Sequence, residues 1–365
     1  MKCCNDVLLL NINLIKLARY GKIYKIERSD TMNTFVPKNY KSKLSIYETQ
    51  TSIGIFKRIF EEKLCKYLNL KRVSAPLFVK SNSGLNDDLN GFERPVSFNA
   101  KCYSDELQIV HSLAKWKRLA LYEYQFNVGE GLYTDMNAIR RDEDMDNIHS
   151  IYVDQWDWEK VISEEDRNIE YLKETVRNIC LSIHEASVEL NKLFPNLDYV
   201  FPKDVTFVDS FELERLYPNM TGKERENAFV KAHGTTFLMK IGCKLNSGEP
   251  HDGRAPDYDD WDLNGDILVY NPVLDSAFEI SSMGIRVNKE SLLKQLEERN
   301  QLERTKLDFH QMLLNDLLPL TIGGGIGQSR LSMLLLEKAH IGEVQVSVWD
   351  EETKETCKLA GIKLL

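Results

Sequence analysis

"TIGGGIGQSRLSMLLL", Thr321 to Leu336, places Gly323, Gly324, Gly325 and Gly327 directly ahead of Arg330 and an apolar run of helical spacing. Glycines lack Cβ atoms and let a backbone come close to a flat or phosphorylated ligand. The stretch therefore suits a strand and turn with Arg330 at the start of the following helix. For glycines alone, a plain turn before a core helix explains as much, so the meaning has to come from the rest of the chain.

The 365 residues are 42% hydrophobic and 28% charged, enough to bury a large core in one big domain or two ordinary ones. Acids outnumber bases 56 to 47, a net charge of -9 without the basic footprint of a nucleic-acid binder. A small substrate is expected, and no nucleic acid. The seven cysteines are scattered with no CxxC pair, which indicates neither a disulfide framework nor a zinc site and points to a reducing compartment, the cytoplasm. No apolar run reaches the roughly 20 residues that span a bilayer, since Asn11 and Asn13 break "VLLLNINLIKL"; no membrane association is expected.

Residues 1–40 lack a strand-and-turn rhythm and read as a poorly ordered extension; Asp6, Glu27 and Asp30 argue against a transit peptide, and Met32 is an alternative start. Residues 41–365 read as a single domain. Ile53, Phe56, Phe60, Leu64 and Leu68 recur at three or four residues and make an amphipathic helix from Ser45. "LKRVSAPLFV" reads as a strand whose Pro76 marks a sheet margin or a subunit contact. "LQIVHS" and "HSIYVDQWDWE" read as strands, "LAKWKRLALYEY" as a helix, and residues 163–194 as a long helix covering a sheet. "DVTFVDSFELERLY" and "TTFLMKIG" read as strands, "GDILVYNPVLDSAFEISSMGIRV" as a hairpin, and residues 289–318 as mostly helical.

Period-two geometry sets Gln155, Asp157 and Glu159 on one face of their strand, with Trp156 and Trp158 on the other, so a polar pocket is expected there. Upstream, "AIRRDEDMD" puts Arg140 and Arg141 before three acids, a candidate phosphate clamp. Among the acids of "GRAPDYDDWDLNGDILVY", Asp257, Asp260 and Asp262 read as an acidic surface loop. Asp266 and Glu279 sit on neighbouring strands beside apolar residues and suit Mg²⁺, which takes one or two carboxylates plus substrate phosphates. Arg286 on the same hairpin is a carboxylate or phosphate anchor. His111, His149 and His251 form no ligand spacing.

"FEEKLCKYLNLKRVSAPLF" resembles motif 1 of the class II aminoacyl-tRNA synthetases, "RDED" with "QWDWE" motif 2, and "GGGIGQSRLSMLL" motif 3. Closer still, "VHSLAKWKR", "GEGLYTDMNAIR", "RAPDYDDW", "FEISSMGIRV" and "TIGGGIGQSRL" resemble the ammonia-dependent asparagine synthetase family over about residues 45–365. The resemblance implies an α+β fold with a central antiparallel sheet flanked by helices, acting as a homodimer. It implies that L-aspartate, ATP and ammonia become asparagine, AMP and pyrophosphate through a β-aspartyl adenylate, with Mg²⁺ on the phosphates.

The same resemblance carries roles. Asp87, Lys117, Gln155 and Asp157 would hold aspartate, and Arg286 its α-carboxylate. Ser112, Ser282 and Asp259 would be polar groups of the pocket, Asp259 near the ammonia site. Either Arg140 or Arg141 would be the motif 2 arginine; Gly324, Gly325 and Gly327 would make room for adenine, Arg330 would lie against ATP, and Asp266 and Glu279 would bind Mg²⁺. A tRNA ligase would carry an anticodon-binding barrel ahead of this core, which residues 1–40 do not resemble. A non-catalytic relative would have lost Arg330, Glu279 or Asp266, all of which are present. A glutamine-using enzyme would show a cysteine at position 2, where Lys2 stands, so free ammonia is the expected nitrogen source.

Overall fold

Ser45 opens the first described helix, α1 (Ile46–Leu68): its hydroxyl accepts from the Glu48 amide at 3.2 Å, and the Glu48 carboxylate accepts from the Ser45 amide at 2.8 Å. Asn69, at φ 58°, closes the helix in the left-handed region. The spacing read from the sequence buries Phe56, Phe60, Leu64 and Leu68 along one face. That face meets Trp156, whose ring lies 4.7 Å from Phe60 and 6.0 Å from Phe56. Each such fully buried side chain contributes about 1.5–3 kcal/mol by leaving water.

The computed structural model describes residues 34–87, 89 and 93–365. Residues 1–33 of the extension expected over residues 1–40, and Asp88, Asn90 and Gly91 of "NDDLNG", lie outside the described residues. After α1 come β1 (Leu70–Arg72), β2 (Phe78–Lys80), β3 (Ser97–Phe98), β4 (Leu107–Ile109), α2 (Ala114–Glu123), β5 (Gly131–Ile139), β6 (Tyr152–Val161) and α3 (Ile169–Leu193). The second half adds β7 (Thr206–Asp209), α4 (Ser210–Leu216), α5 (Gly222–His233), β8 (Thr236–Met239), β9 (Asp259–Asn271) and β10 (Ser276–Arg286). It ends with α6 (Lys289–Glu298), α7 (Asp308–Leu314), β11 (Thr321–Gly327), α8 (Gln328–Leu335) and α9 (Glu351–Leu359).

Eight strands form one sheet in the order β1-β5-β6-β11-β10-β9-β8-β7, and β2-β4-β3 form a small second sheet. The large sheet is antiparallel at its centre, with parallel pairs at both margins, β1 with β5 and β7 with β8. One face is apolar: Trp156, Trp158, Met283, Ile322 and Ile326 join residues of α1, α3 and α8 in the main core. On the other face Gln155, Asp157 and Glu159 of β6 lie opposite Gly327, Gly325 and Gly323 of β11.

The register explains two of the glycines. A Cβ at Gly323 would stand 1.9 Å from Glu159 Oε2, and one at Gly325 would stand 2.4 Å from Gln155 Oε1 and 3.2 Å from Asp157 Oδ1. At these two positions the missing Cβ atoms leave room for the polar side chains of β6.

Two sequence expectations about elements are corrected. The strand through Pro76 is broken, β1 ending at Arg72 and β2 starting at Phe78 in the other sheet, because proline cannot donate to a ladder. "DVTFVDSFELERLY" is a strand only to Asp209; the Asp209 carboxylate then accepts from the Glu212 amide at 2.8 Å and starts α4. Residues 34–40 of that extension contact the domain: the Phe35 amide donates to Asn147 Oδ1 at 2.9 Å and the Tyr40 hydroxyl donates to Glu343 at 2.9 Å.

Candidate active site

A cavity of about 370 Å³ lies over the polar face of the central strands. All sixteen residues singled out above line it: Asp87, Ser112, Lys117, Arg140, Arg141, Gln155, Asp157, Asp259, Asp266, Glu279, Ser282, Arg286, Gly324, Gly325, Gly327 and Arg330. They come from four strands, α2, α8 and the loops between. Their union follows from the strand order, which puts β6, β11, β10 and β9 side by side.

One end is a closed lattice of charge. Lys117, on α2, donates to Asp157 Oδ1 at 2.6 Å and to the Gly324 carbonyl at 3.0 Å, with Glu159 at 3.9 Å. Burial pulls Lys117 below the ordinary lysine range against the attraction of Asp157 and Glu159. Arg286 donates through Nε to Glu159 Oε1 at 2.9 Å, through Nη2 to Oε2 at 2.7 Å, and through Nη1 to Asp259. Burial opposes the charge of Arg286 too, yet Glu159 and Asp259 hold its pKa well above the usual value. Ser112 donates to Asp87 Oδ2 at 2.9 Å, and the Asp87 carbonyl bonds His111 Nδ1 at 2.9 Å. One acceptor is left over: among the described residues Asp157 Oδ2 is buried without a hydrogen-bond partner.

The other end is looser. Arg330 sits in the first turn of α8, its Nη1 donating to the Glu279 carbonyl at 3.1 Å and lying 3.6 Å from the Glu279 carboxylate. Arg140 is half-buried just past the end of β5, 3.7 Å from Glu143, with Nε unpartnered among the described residues, while Arg141 is exposed. Burial pushes Asp266 up to about 6, with Arg254 opposing and Glu279 adding to the shift.

Sequence reasoning missed two central groups. Arg254 donates to Asp266 Oδ1 at 2.6 Å and also to Ser282 Oγ. Its signal was present, a single cation inside the most acidic stretch of the chain. Glu159 was read as a polar strand residue and is the carboxylate that holds Arg286 and accepts from Thr321 Oγ1 at 2.7 Å. The acidic surface loop is corrected as well. Asp262 is exposed, but Asp257 is buried, its Oδ2 meeting Lys115, Arg304 and His310, each at 3.0 Å, and Asp260 is buried against Arg167. His149 lines the cavity with Nδ1 on Asp146 at 2.9 Å, and His251 meets Glu226 at 3.1 Å.

The antiparallel centre with this glycine strand, arginine helix and flanking helices is the catalytic-core fold of class II aminoacyl-tRNA synthetases. It matches an Entamoeba histolytica asparaginyl-tRNA synthetase in complex with asparaginyl-adenylate at a TM-score of 0.59 and 12% identity, over 82% of this chain and 66% of that one. The Pyrococcus horikoshii asparaginyl-tRNA synthetase complexed with asparaginyl-adenylate matches at 0.58 and 13%, over 82% and 68%. Within that class the relationship narrows: residues 47–361 match the aspartate-ammonia ligase family. Aspartate–ammonia ligases of Clostridium perfringens (strain SM101) and Lactobacillus johnsonii are 60% and 56% identical, over 91% and 92% of this chain and 99% and 100% of theirs. The chain belongs to the aspartate–ammonia ligase family and is an enzyme of that kind.

Proposed function

We propose that the enzyme joins L-aspartate and ammonia into L-asparagine by first converting the β-carboxylate to an acyl adenylate with ATP. The observation that carries this reading is the buried, unpartnered Asp157 Oδ2 in a cavity that also holds Arg286. It is an acceptor waiting for the α-ammonium of an amino acid, at the end where a guanidinium can take a carboxylate. Asp87 and Gln155 would share the ammonium, and Lys117, two of whose three donors are already used, would turn the third to the substrate. Ser112 and Ser282 would hold Asp87 and Arg254 in place.

Held by its α groups, aspartate would present its β-carboxylate to the α-phosphorus of ATP. The carboxylate oxygen forms the new P–O bond as pyrophosphate leaves; ammonia then attacks the acyl carbon, the C–O bond to AMP breaks, and the excess proton is lost. A carboxylate needs this activation because its own oxygen is a poor leaving group. Arg140 suits the α-phosphate, since its Nε is buried without a partner, with Arg141 outside it. Arg330 would stabilise the outer phosphates, and Gly324, Gly325 and Gly327 would line the adenine side.

The donor set also fits Mg²⁺. Asp266 and Glu279 face the same space, and Asp266 is poorly disposed to carry its charge there, a condition that a divalent cation relieves. Arg254 and Arg330 balance the pair in this structure. Bound Mg²⁺ would offset phosphate charge. The reading includes a homodimer through α1 and the Pro76 segment, where Leu77 and Phe78 are exposed, and a cytoplasmic location.

Product analysis with aspartate, ATP and ammonium tests the reading. Asparagine, AMP and pyrophosphate in equal amounts, unaffected by tRNA, are expected. ADP and phosphate, or aminoacyl-tRNA, would refute it.

A further inference from the structure

Arg286 is the cation that the proposed function gives to the substrate, and the inference here rests on that reading. Glu159 takes Nε and Nη2, and Asp259 takes Nη1. Glu159 is also fixed by Thr321 Oγ1 at 2.7 Å and by Lys117 at 3.9 Å. Asp259 is held less firmly; among the described residues its other cation is Arg254, whose Nε lies 3.9 Å away. A carboxylate arriving at Arg286 therefore competes with Asp259, not with Glu159.

Losing that competition leaves Asp259 buried, 1% exposed, without its close cation and with only Arg254, 3.9 Å away and already bound to Asp266 and Ser282. Such a charge is strongly disfavoured unless another cation replaces the lost one. The α-ammonium of aspartate does not serve, because the unpartnered Asp157 Oδ2 already answers it.

We infer that Asp259 changes partners during substrate binding: paired with Arg286 before aspartate arrives, it is released by the substrate carboxylate and then pairs with an ammonium ion. The two substrates thus bind cooperatively, and Asp259 makes the ammonium site only once aspartate is in place. By linkage, aspartate tightens ammonium as much as ammonium tightens aspartate.

Calorimetric titration of the full chain with L-aspartate, without ATP, in ammonium chloride and in sodium chloride of equal ionic strength tests this. The wild-type Kd for aspartate should fall about fivefold or more in saturating ammonium, the lower end of ordinary coupling. In Asp259→Asn it should be equal in the two salts and tighter than the wild-type value in sodium, because the guanidinium edge is free. Equal wild-type affinities in the two salts overturn the coupling, and that comparison decides alone if the variant does not fold. A folded variant that keeps the wild-type ratio, or binds aspartate more weakly than wild type in sodium, also overturns it. Failure to bind aspartate in either salt, with or without ATP, overturns the proposed function itself.

Discussion

At the amino-acid end of the cavity Lys117, Asp157, Glu159, Arg286 and Asp259 are each at most 3% exposed and bound to one another, whereas at the phosphate end the Arg330 side chain is 19% and that of Glu279 34% exposed. The first arrangement is preorganised: its groups keep their positions without a ligand, and removing one leaves another charge buried and unmatched. The second is responsive, its arginines and carboxylates held weakly enough to exchange partners for phosphate and metal. Fold stability should therefore depend on the first end, and chemistry on both.

Glu159→Gln should break this contrast most severely. It leaves Arg286 and Lys117 short of a carboxylate in a buried site, so unfolding free energy in urea should fall by about 3–5 kcal/mol. Loss of stability below about 1 kcal/mol would show that the lattice is not a structural unit. Arg330→Ala is the counterpart. It should cost on the order of 2.7–4 kcal/mol in pyrophosphate release by analogy with loss of one preorganised donor, while urea stability stays within about 0.5 kcal/mol. Near-normal pyrophosphate release would remove Arg330 from its role.

The same contrast explains what was legible in the sequence. Helix α1 and the hairpin β9–β10 announce themselves because apolar spacing is local, and the polar face of β6 because alternation is local. Glu159 and Arg254 were missed because their importance is in their partners, Arg286 127 residues and Asp266 12 residues away, brought close only by the strand order. Asp257 and Asp260 misled for a related reason: an acidic run looks solvated until the cations that bury it, Lys115, Arg304 and Arg167, arrive from elsewhere in the chain. The glycines of β11 were read for a ligand's sake, and two of them serve the side chains of the neighbouring strand.

Stability must also be separated from titration outside the cavity, and His340 is the group to control. It is fully buried, its Nδ1 accepts from the Gly342 amide at 3.0 Å, and burial pushes its pKa down to about 4. The fold thus holds the neutral ring, whereas the unfolded chain protonates it near pH 6.5. Its contribution is complete above about pH 6.5 and is lost as pH falls toward 4, a total of about 3 kcal/mol. Urea unfolding at pH 7 and pH 4.5 should show this drop, and His340→Gln should remove most of it. An unchanged pH dependence in the variant would assign the drop to other groups.

The smallest expected effect is the finest test of preorganisation. Ser112 reaches Asp87 Oδ2 with one hydrogen bond of 2.9 Å, and Leu89 donates its amide to Asp87 Oδ1 at 2.9 Å. In Ser112→Ala the Asp87 carboxylate keeps the backbone bond from Leu89 and loses the Ser112 hydroxyl. If Asp87 reads the substrate ammonium in ground state and transition state alike, aspartate KM should rise by the worth of about one hydrogen bond, roughly 1 kcal/mol or fivefold, with kcat unchanged. If Asp87 is positioned for the transition state instead, kcat should fall and KM should stay. Steady-state kinetics at saturating ATP and ammonium separate the two patterns, and a variant with neither change would mean that the hydroxyl holds the loop and not the carboxylate.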